Sequence, residues 1–139
     1  MEDTSSIIVT DESLMQQKRI LVAEDFKLNL ILIQAFLNAS CWRLTIAKNG
    51  FEAVEFYQKQ SFDLILMDML MPVMDGYQAT RAIREMEIRE NRPKTPIIAL
   101  TAHTFSEEIK ECLANGCDGY LAKPFTKKGL LTKINSFWM

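Results

Sequence analysis

Leu64-Ile65-Leu66-Met67-Asp68-Met69-Leu70-Met71-Pro72-Val73-Met74-Asp75-Gly76 is the stretch that decides the fold. An apolar run ends in a carboxylate, and a turn marked by proline and glycine follows. Uninterrupted apolar runs of this length are how strands read when both faces of a sheet are covered. A carboxylate at the tip of such a strand is placed for chemistry rather than for solubility. Three other runs end alike: Ile20 to Ala23 in Glu24-Asp25, Ile97 to Leu100 in Thr101, and Tyr120 to Ala122 in Lys123. In a parallel sheet all of these groups meet at one edge.

Working outward, short apolar runs alternate with stretches of helical period from Arg19 onward. The pattern predicts strands at 19–24, 42–47, 63–68, 95–101 and 118–122, with helices at about 27–39, 50–60, 76–90, 105–115 and 126–137. This is an α/β fold of βα units with a doubly wound parallel sheet, and no internal repeat. Thr104 followed by Glu107 reads as a capping box, and Asn115-Gly116 as the stop of the same helix. Pro93, after Asn91-Arg92, ends the preceding helix, because proline favours an extended residue before it. A doubly wound sheet binds its ligand beyond the carboxyl ends of its strands, where the strand order reverses. Asp25, Asp68, Thr101 and Lys123 all stand at such ends.

At 139 residues the chain has the size of one ordinary domain. The division expected is a tail or linker over 1–18, polar apart from Ile7-Ile8-Val9 and Leu14-Met15, and one folded domain over 19–139. The net charge of −2 comes from interspersed signs, which argues against a nucleic-acid or membrane surface. Cys41, Cys112 and Cys117 lack metal-ligand spacing and His103 is the only histidine, so a zinc site and a disulfide frame are both excluded. No run approaches the roughly 18 to 20 apolar residues that span a bilayer, and no signal peptide precedes the fold, so the chain reads as cytosolic.

Glu24, Asp25 and Asp68 would crowd their negative charges at the switch point, and carboxylates so placed resist ionising together. A hard divalent cation resolves the conflict: Mg²⁺ takes oxygen ligands and is typically held by one or two carboxylates plus a phosphate oxygen. Thr101 offers a hydroxyl and Lys123 an ammonium, both suited to phosphoryl oxygens. Asp68 is then the candidate nucleophile, since a carboxylate can form an aspartyl-phosphate. Singly, each residue has a plainer reading. Glu24-Asp25 could cap a helix, Thr101 could be an ordinary strand residue, Lys123 a solvated turn lysine, and Asp68 a partner for its own loop amides. Their joint placement at matching strand ends favours the functional reading.

These residues carry a family resemblance over about Arg19 to Trp138. Val22-Ala23-Glu24-Asp25, Met67-Asp68 with the loop to Asp75-Gly76, Ala99-Leu100-Thr101-Ala102 and Tyr120-Leu121-Ala122-Lys123-Pro124-Phe125 resemble the receiver domains of two-component signalling. The resemblance implies a flavodoxin-like (βα)5 fold with strand order 2-1-3-4-5. It implies that Asp68 is the phosphoacceptor, Asp25 a metal ligand, Glu24 a ligand through water, and the Leu70 backbone carbonyl the remaining protein ligand to Mg²⁺, for which Mn²⁺ can substitute. Thr101 and Lys123 would hold the phosphoryl group, Tyr120 would change rotamer when Thr101 moves, and Lys123-Pro124 would be a cis peptide. The implied partner is a histidine kinase or histidine-phosphotransfer domain, with a phosphorylation-dependent dimer through the fourth helix, fifth strand and fifth helix. Glu24 departs from receivers with two aspartates there, and Leu70 and His103 occupy positions that border the attacking water. A leucine cannot orient water, so slow to moderate self-dephosphorylation is expected, and His103 reads as a loop histidine. The connection Arg84 to Lys94 resembles that of hybrid-kinase receivers.

The first helix carries two apolar stripes at helical spacing. Leu28, Ile31, Leu32, Ala35 and Phe36 are expected to face the sheet. Phe26, Leu30, Ile33 and Leu37 form the second stripe, expected at the surface as a docking site for the histidine-bearing helical bundle. The competing function is an enzyme, a Mg²⁺-dependent phosphohydrolase working through an aspartyl-phosphate. Enzymes of the haloacid dehalogenase type need a second acid two residues after the nucleophile, where this chain has Leu70. A flavodoxin-like cofactor binder would need a Gly/Ser/Thr-rich cradle after the first strand, and none is present.

Overall fold

The computed structural model describes residues 17–102 and 105–138. Among them are five strands, β1 (Arg19–Ala23), β2 (Arg43–Ala47), β3 (Leu64–Asp68), β4 (Ile97–Thr101) and β5 (Gly119–Ala122). They alternate with helices α1 (Lys27–Leu37), α2 (Gly50–Lys59), α3 (Gly76–Arg89), α4 (Ser106–Ala114) and α5 (Lys127–Asn135), and a short 3₁₀ turn, Asn38–Ser40, follows α1. Every ladder is parallel and the order is β2-β1-β3-β4-β5, the flavodoxin-like order expected. The predicted boundaries are met to within two residues.

The side-chain period of two divides the sheet between two cores. Leu21, Ala23, Ile65, Met67 and Ala99 pack against Ala53, Tyr57, Ile83, Met86 and Cys112 of α2, α3 and α4. Ile20, Val22, Leu64, Leu66, Ile98 and Leu100 pack against Ile33, Leu37, Leu130 and Ile134 of α1 and α5. Both faces of β3 and β4 are therefore fully buried, which is why their sequences are unbroken apolar runs.

One expectation is reversed. Ile33 and Leu37 are 0% and 2% exposed and Leu30 is half-buried, so the stripe assigned to docking faces the sheet. Leu28, Ile31 and Leu32, expected inside, are 56%, 52% and 40% exposed. Phe36 is half-buried on the same core, edge-on to Phe125, and Phe26 is exposed as expected. Both stripes are apolar, so periodicity finds them but cannot choose between them. The choice is made by α5, whose Leu130 and Ile134 meet the narrower Leu30-Ile33-Leu37 stripe.

Asn115 and Gly116 close α4 as predicted: Gly116 adopts φ +113, and the Cys117 N–H donates to the Cys112 carbonyl at 3.1 Å. The start of that helix differs, with Phe105 at the cap and no side-chain cap bond. Thr104 of the expected capping box lies outside the described residues, as does His103. A capping box does occur at α3, where Asp75 accepts from the Gln78 N–H and Gln78 accepts from the Asp75 N–H.

A buried polar network joins the elements at the sheet end opposite Asp68. Arg84 donates to both oxygens of Glu87, to the Thr95 and Gly116 carbonyls, and to Asp118. Glu87 also accepts from the Tyr57 hydroxyl and the Thr95 N–H, so this buried charge is neutralised and hydrogen-bonded.

Candidate functional site

The sheet register builds the site. Ala23 pairs with Met67 and Asp68 pairs with Leu100, so Glu24, just past β1, stands level with Asp68, and Thr101 on β4 stands one residue beyond it. Thr101 pairs with Ala122, and the Lys123 N–H donates to the Thr101 carbonyl at 2.8 Å, which sets Lys123 beside the same edge. The Lys123-Pro124 peptide is cis. The turn after Asp68 is closed by the Gly76 N–H, which donates to the Met69 carbonyl at 3.1 Å. A Cβ at Gly76 would come within 2.3 Å of the Asp68 carbonyl oxygen, so only glycine lets α3 start this close behind the strand.

Carboxylate oxygens of Glu24, Asp25 and Asp68 lie within 4.8 Å of one another. Glu24 is fully buried, Asp68 is 5% exposed and Asp25 is exposed. The Lys123 ammonium bridges the two buried acids, 3.1 Å from Glu24 Oε1 and 3.2 Å from Asp68 Oδ1. The Leu70 N–H also donates to Asp68 Oδ1, and the Phe26 N–H to Glu24 Oε2. Glu24 Oε1 has the lysine charge nearby but no hydrogen bond of acceptable geometry. Burial raises the Asp68 carboxyl from 3.8 to about 7; the charge of Glu24 adds to this and that of Lys123 opposes it.

This donor set fits a hard divalent cation. The ligand atoms are all oxygens, one of them a buried acceptor lacking a hydrogen bond, and a single lysine leaves the cluster net negative. Thr101 is buried at the rim and Leu70 is 62% exposed, turned toward solvent. Tyr120, on the edge strand β5, is half-buried against the α2–α4 core. All the described residues picked out for chemistry thus reach one edge of the sheet. Phe26 borders it, while Leu30, Ile33 and Leu37 are withdrawn into the core.

Two features escaped sequence reasoning. The bridge from Lys123 to Glu24 as well as Asp68 depends on depths that only the register fixes. The Arg84 network had one local signal, the i, i+3 spacing of Arg84 and Glu87 on a predicted helix.

Comparison with known proteins agrees with this geometry. Residues 20–135 match the family described as response regulator receiver domain. The sensor protein GacS of Pseudomonas syringae pv. syringae is 42% identical over 112 residues, covering 81% of this chain and 12% of GacS. The chain therefore spans about an eighth of the length of that relative. Among solved structures, the receiver domain of the sensor histidine kinase PA1611 from Pseudomonas aeruginosa, with magnesium coordinated in its active site cleft, is 38% identical with TM-score 0.78, covering 87% of this chain and 97% of that one. The receiver domain of Saccharomyces cerevisiae Ssk1, co-crystallised with the histidine phosphotransfer protein Ypd1, is 30% identical with TM-score 0.83, covering 87% of this chain and 88% of that one.

Proposed function

The chain belongs to the response regulator receiver family and is a receiver domain of two-component phosphorelay signalling, and on that premise we propose that Asp68 is its phosphoacceptor. The observation that carries the assignment is the convergence of Glu24, Asp25, Asp68 and Lys123 at one sheet edge. An Asp68 carboxylate oxygen attacks phosphorus as the bond from phosphorus to the donor imidazole nitrogen breaks, and that electron pair returns to the imidazole. Lys123 and Leu70 N–H both engage Oδ1, which fixes the carboxylate and presents Oδ2 for attack. Lys123 and the Thr101 hydroxyl then hold the phosphoryl oxygens. Glu24, Asp25, Asp68 and the Leu70 backbone carbonyl would hold Mg²⁺ or Mn²⁺, which supplies positive charge to the phosphoryl oxygens when bound.

Occupancy of Asp68 draws Thr101 inward and Tyr120 follows, changing the surface of α4, β5 and α5, through which the phosphorylated domain controls an output or pairs with a second copy. The donor is a histidine-bearing helical bundle of a kinase or phosphotransfer protein; the similar Ssk1 receiver was co-crystallised with the histidine phosphotransfer protein Ypd1. The donor docks on the exposed apolar face of α1, Leu28, Ile31 and Leu32, beside Phe26. We assign 19–139 to the receiver and 1–18 to a preceding linker, and place the domain in the cytosol. Among the described residues no helix is long and apolar enough to cross a membrane. The domain works as an acceptor rather than a turnover enzyme, because an aspartyl-phosphate phosphohydrolase of the haloacid dehalogenase type would need an acid at the position of Leu70.

The test is labelling by acetyl phosphate, read by intact mass. A single phosphoryl group should appear with Mg²⁺, be lost with chelator, and be absent in Asp68→Asn. Labelling that survives the substitution overturns the assignment.

A further inference from the structure

Tyr120 lies on β5, the last strand of the sheet, paired with Ala99 of β4, and its half-buried ring packs against the core beneath α2, α3 and α4. Lys133 belongs to α5, whose core residues lie on the opposite face. Its ammonium nevertheless sits 5.6 Å from the centroid of the Tyr120 ring. Because β5 has no neighbour beyond it, the lysine stem reaches round the open sheet edge to meet the ring from outside. A cation within about 6 Å of an aromatic face is attracted by the quadrupole of the ring. The contact therefore favours the ring where it now lies, at the edge.

We propose that Lys133 is a positioning residue of the conformational switch, whose ammonium retains Tyr120 at the sheet edge until Thr101 is drawn toward an occupied Asp68. The inference rests on the reading of Asp68, Thr101 and Tyr120 given above. A ring that turns inward behind Thr101 leaves the edge and loses the ammonium, so the contact is made in one state only. Any contact made in one state alone biases the equilibrium against the other. A partly exposed cation–π contact is worth a bias of about two- to five-fold. By linkage, removing it tightens binding of whatever favours the inward ring by the same factor.

The experiment titrates the full chain with beryllofluoride in the presence of Mg²⁺. Lys133→Met keeps the apolar stem and removes the charge; Lys133→Arg keeps the charge. Lys133→Met is expected to lower the apparent Kd by about two- to five-fold and Lys133→Arg to leave it near wild type. In a Tyr120→Leu background the effect of Lys133→Met should vanish, which separates a contact with the ring from a general effect on charge or stability. Unchanged affinity in Lys133→Met, or an effect that persists without the ring, overturns the proposal. If Tyr120→Leu alone shifts affinity while Lys133→Met does not, the tyrosine switch stands and the role of Lys133 falls. If Tyr120→Leu shifts nothing, the switch reading fails and takes the proposal with it. Beryllofluoride binding that does not depend on Asp68 would overturn the acceptor assignment itself.

Discussion

The Lys123 ammonium lies 3.2 Å from the Asp68 carboxylate while also pairing with Glu24 at 3.1 Å. One cation thus serves two buried acids. It is their shared counter-charge, and it is already in place to meet the oxygens of an incoming phosphoryl group.

Lys123→Met should slow Asp68 labelling by acetyl phosphate by about ten-fold or more, because the transferred group loses a charge-assisted partner. A time course by intact mass measures it, and labelling at the wild-type rate would remove Lys123 from the machinery.

Stability of the metal-free protein should depend on the protonation of Asp68. Its carboxyl is raised from 3.8 to about 7 in the fold, so between these values the native state binds more protons than the unfolded chain. Stability from this group is then greatest near pH 4, falls as pH rises through 7, and is constant beyond. Asp68→Asn removes the titration, so in chelator the variant should gain on wild type by a few kcal/mol, in order of magnitude, between pH 4 and pH 8. Urea unfolding at several pH values tests this; parallel pH profiles for the two proteins would sink it.

The two faces of α1 should respond oppositely to charge. Leu28→Glu with Ile31→Glu alters exposed positions, so the fold and acetyl-phosphate labelling should persist while transfer from a phosphohistidine donor drops about ten-fold or more. Ile33→Glu buries an unpaired carboxylate at a fully covered site and should cost several kcal/mol, on the order of the whole stability. Equal loss with both phosphodonors in the surface variant would refute the docking face.

Arg84→Met leaves the Glu87 charge buried without its guanidinium. The expected cost is about 3–5 kcal/mol, a fall in Tm of roughly 10–17 °C for a chain of this size. Asp68 lies at the other end of the sheet, so labelling of the folded variant should continue. A Tm within about 2 °C of wild type would show that the network is energetically idle.

The sequence made the sheet legible because burial on both faces leaves β3 and β4 almost no residue choice, and the acids stand where those runs stop. The orientation of α1 was not legible, since Leu28-Ile31-Leu32 and Leu30-Ile33-Leu37 are equally apolar and the arbiter, α5, lies about a hundred residues away in the chain. Long-range polar contacts fared likewise. Arg84 meets Asp118 and Lys133 meets Tyr120 only after the chain has folded, and no local period announces them. Asp25, Asp68 and Lys123 were found because strand ends converge by topology, which leaves little for side-chain packing to decide.

Gly76 has no group that could touch a phosphodonor, yet its missing methyl is what allows the Asp68 carbonyl to sit where it does. Position 76 is in effect a shim behind the reactive carboxylate. Thickening it by one carbon would push the Asp68 carbonyl and Met69 away from the start of α3 while leaving the charge and chemical identity of the carboxylate unchanged. A site whose performance is usually dissected by removing functional groups could here be detuned by displacement alone, which separates what the acceptor is from where it stands.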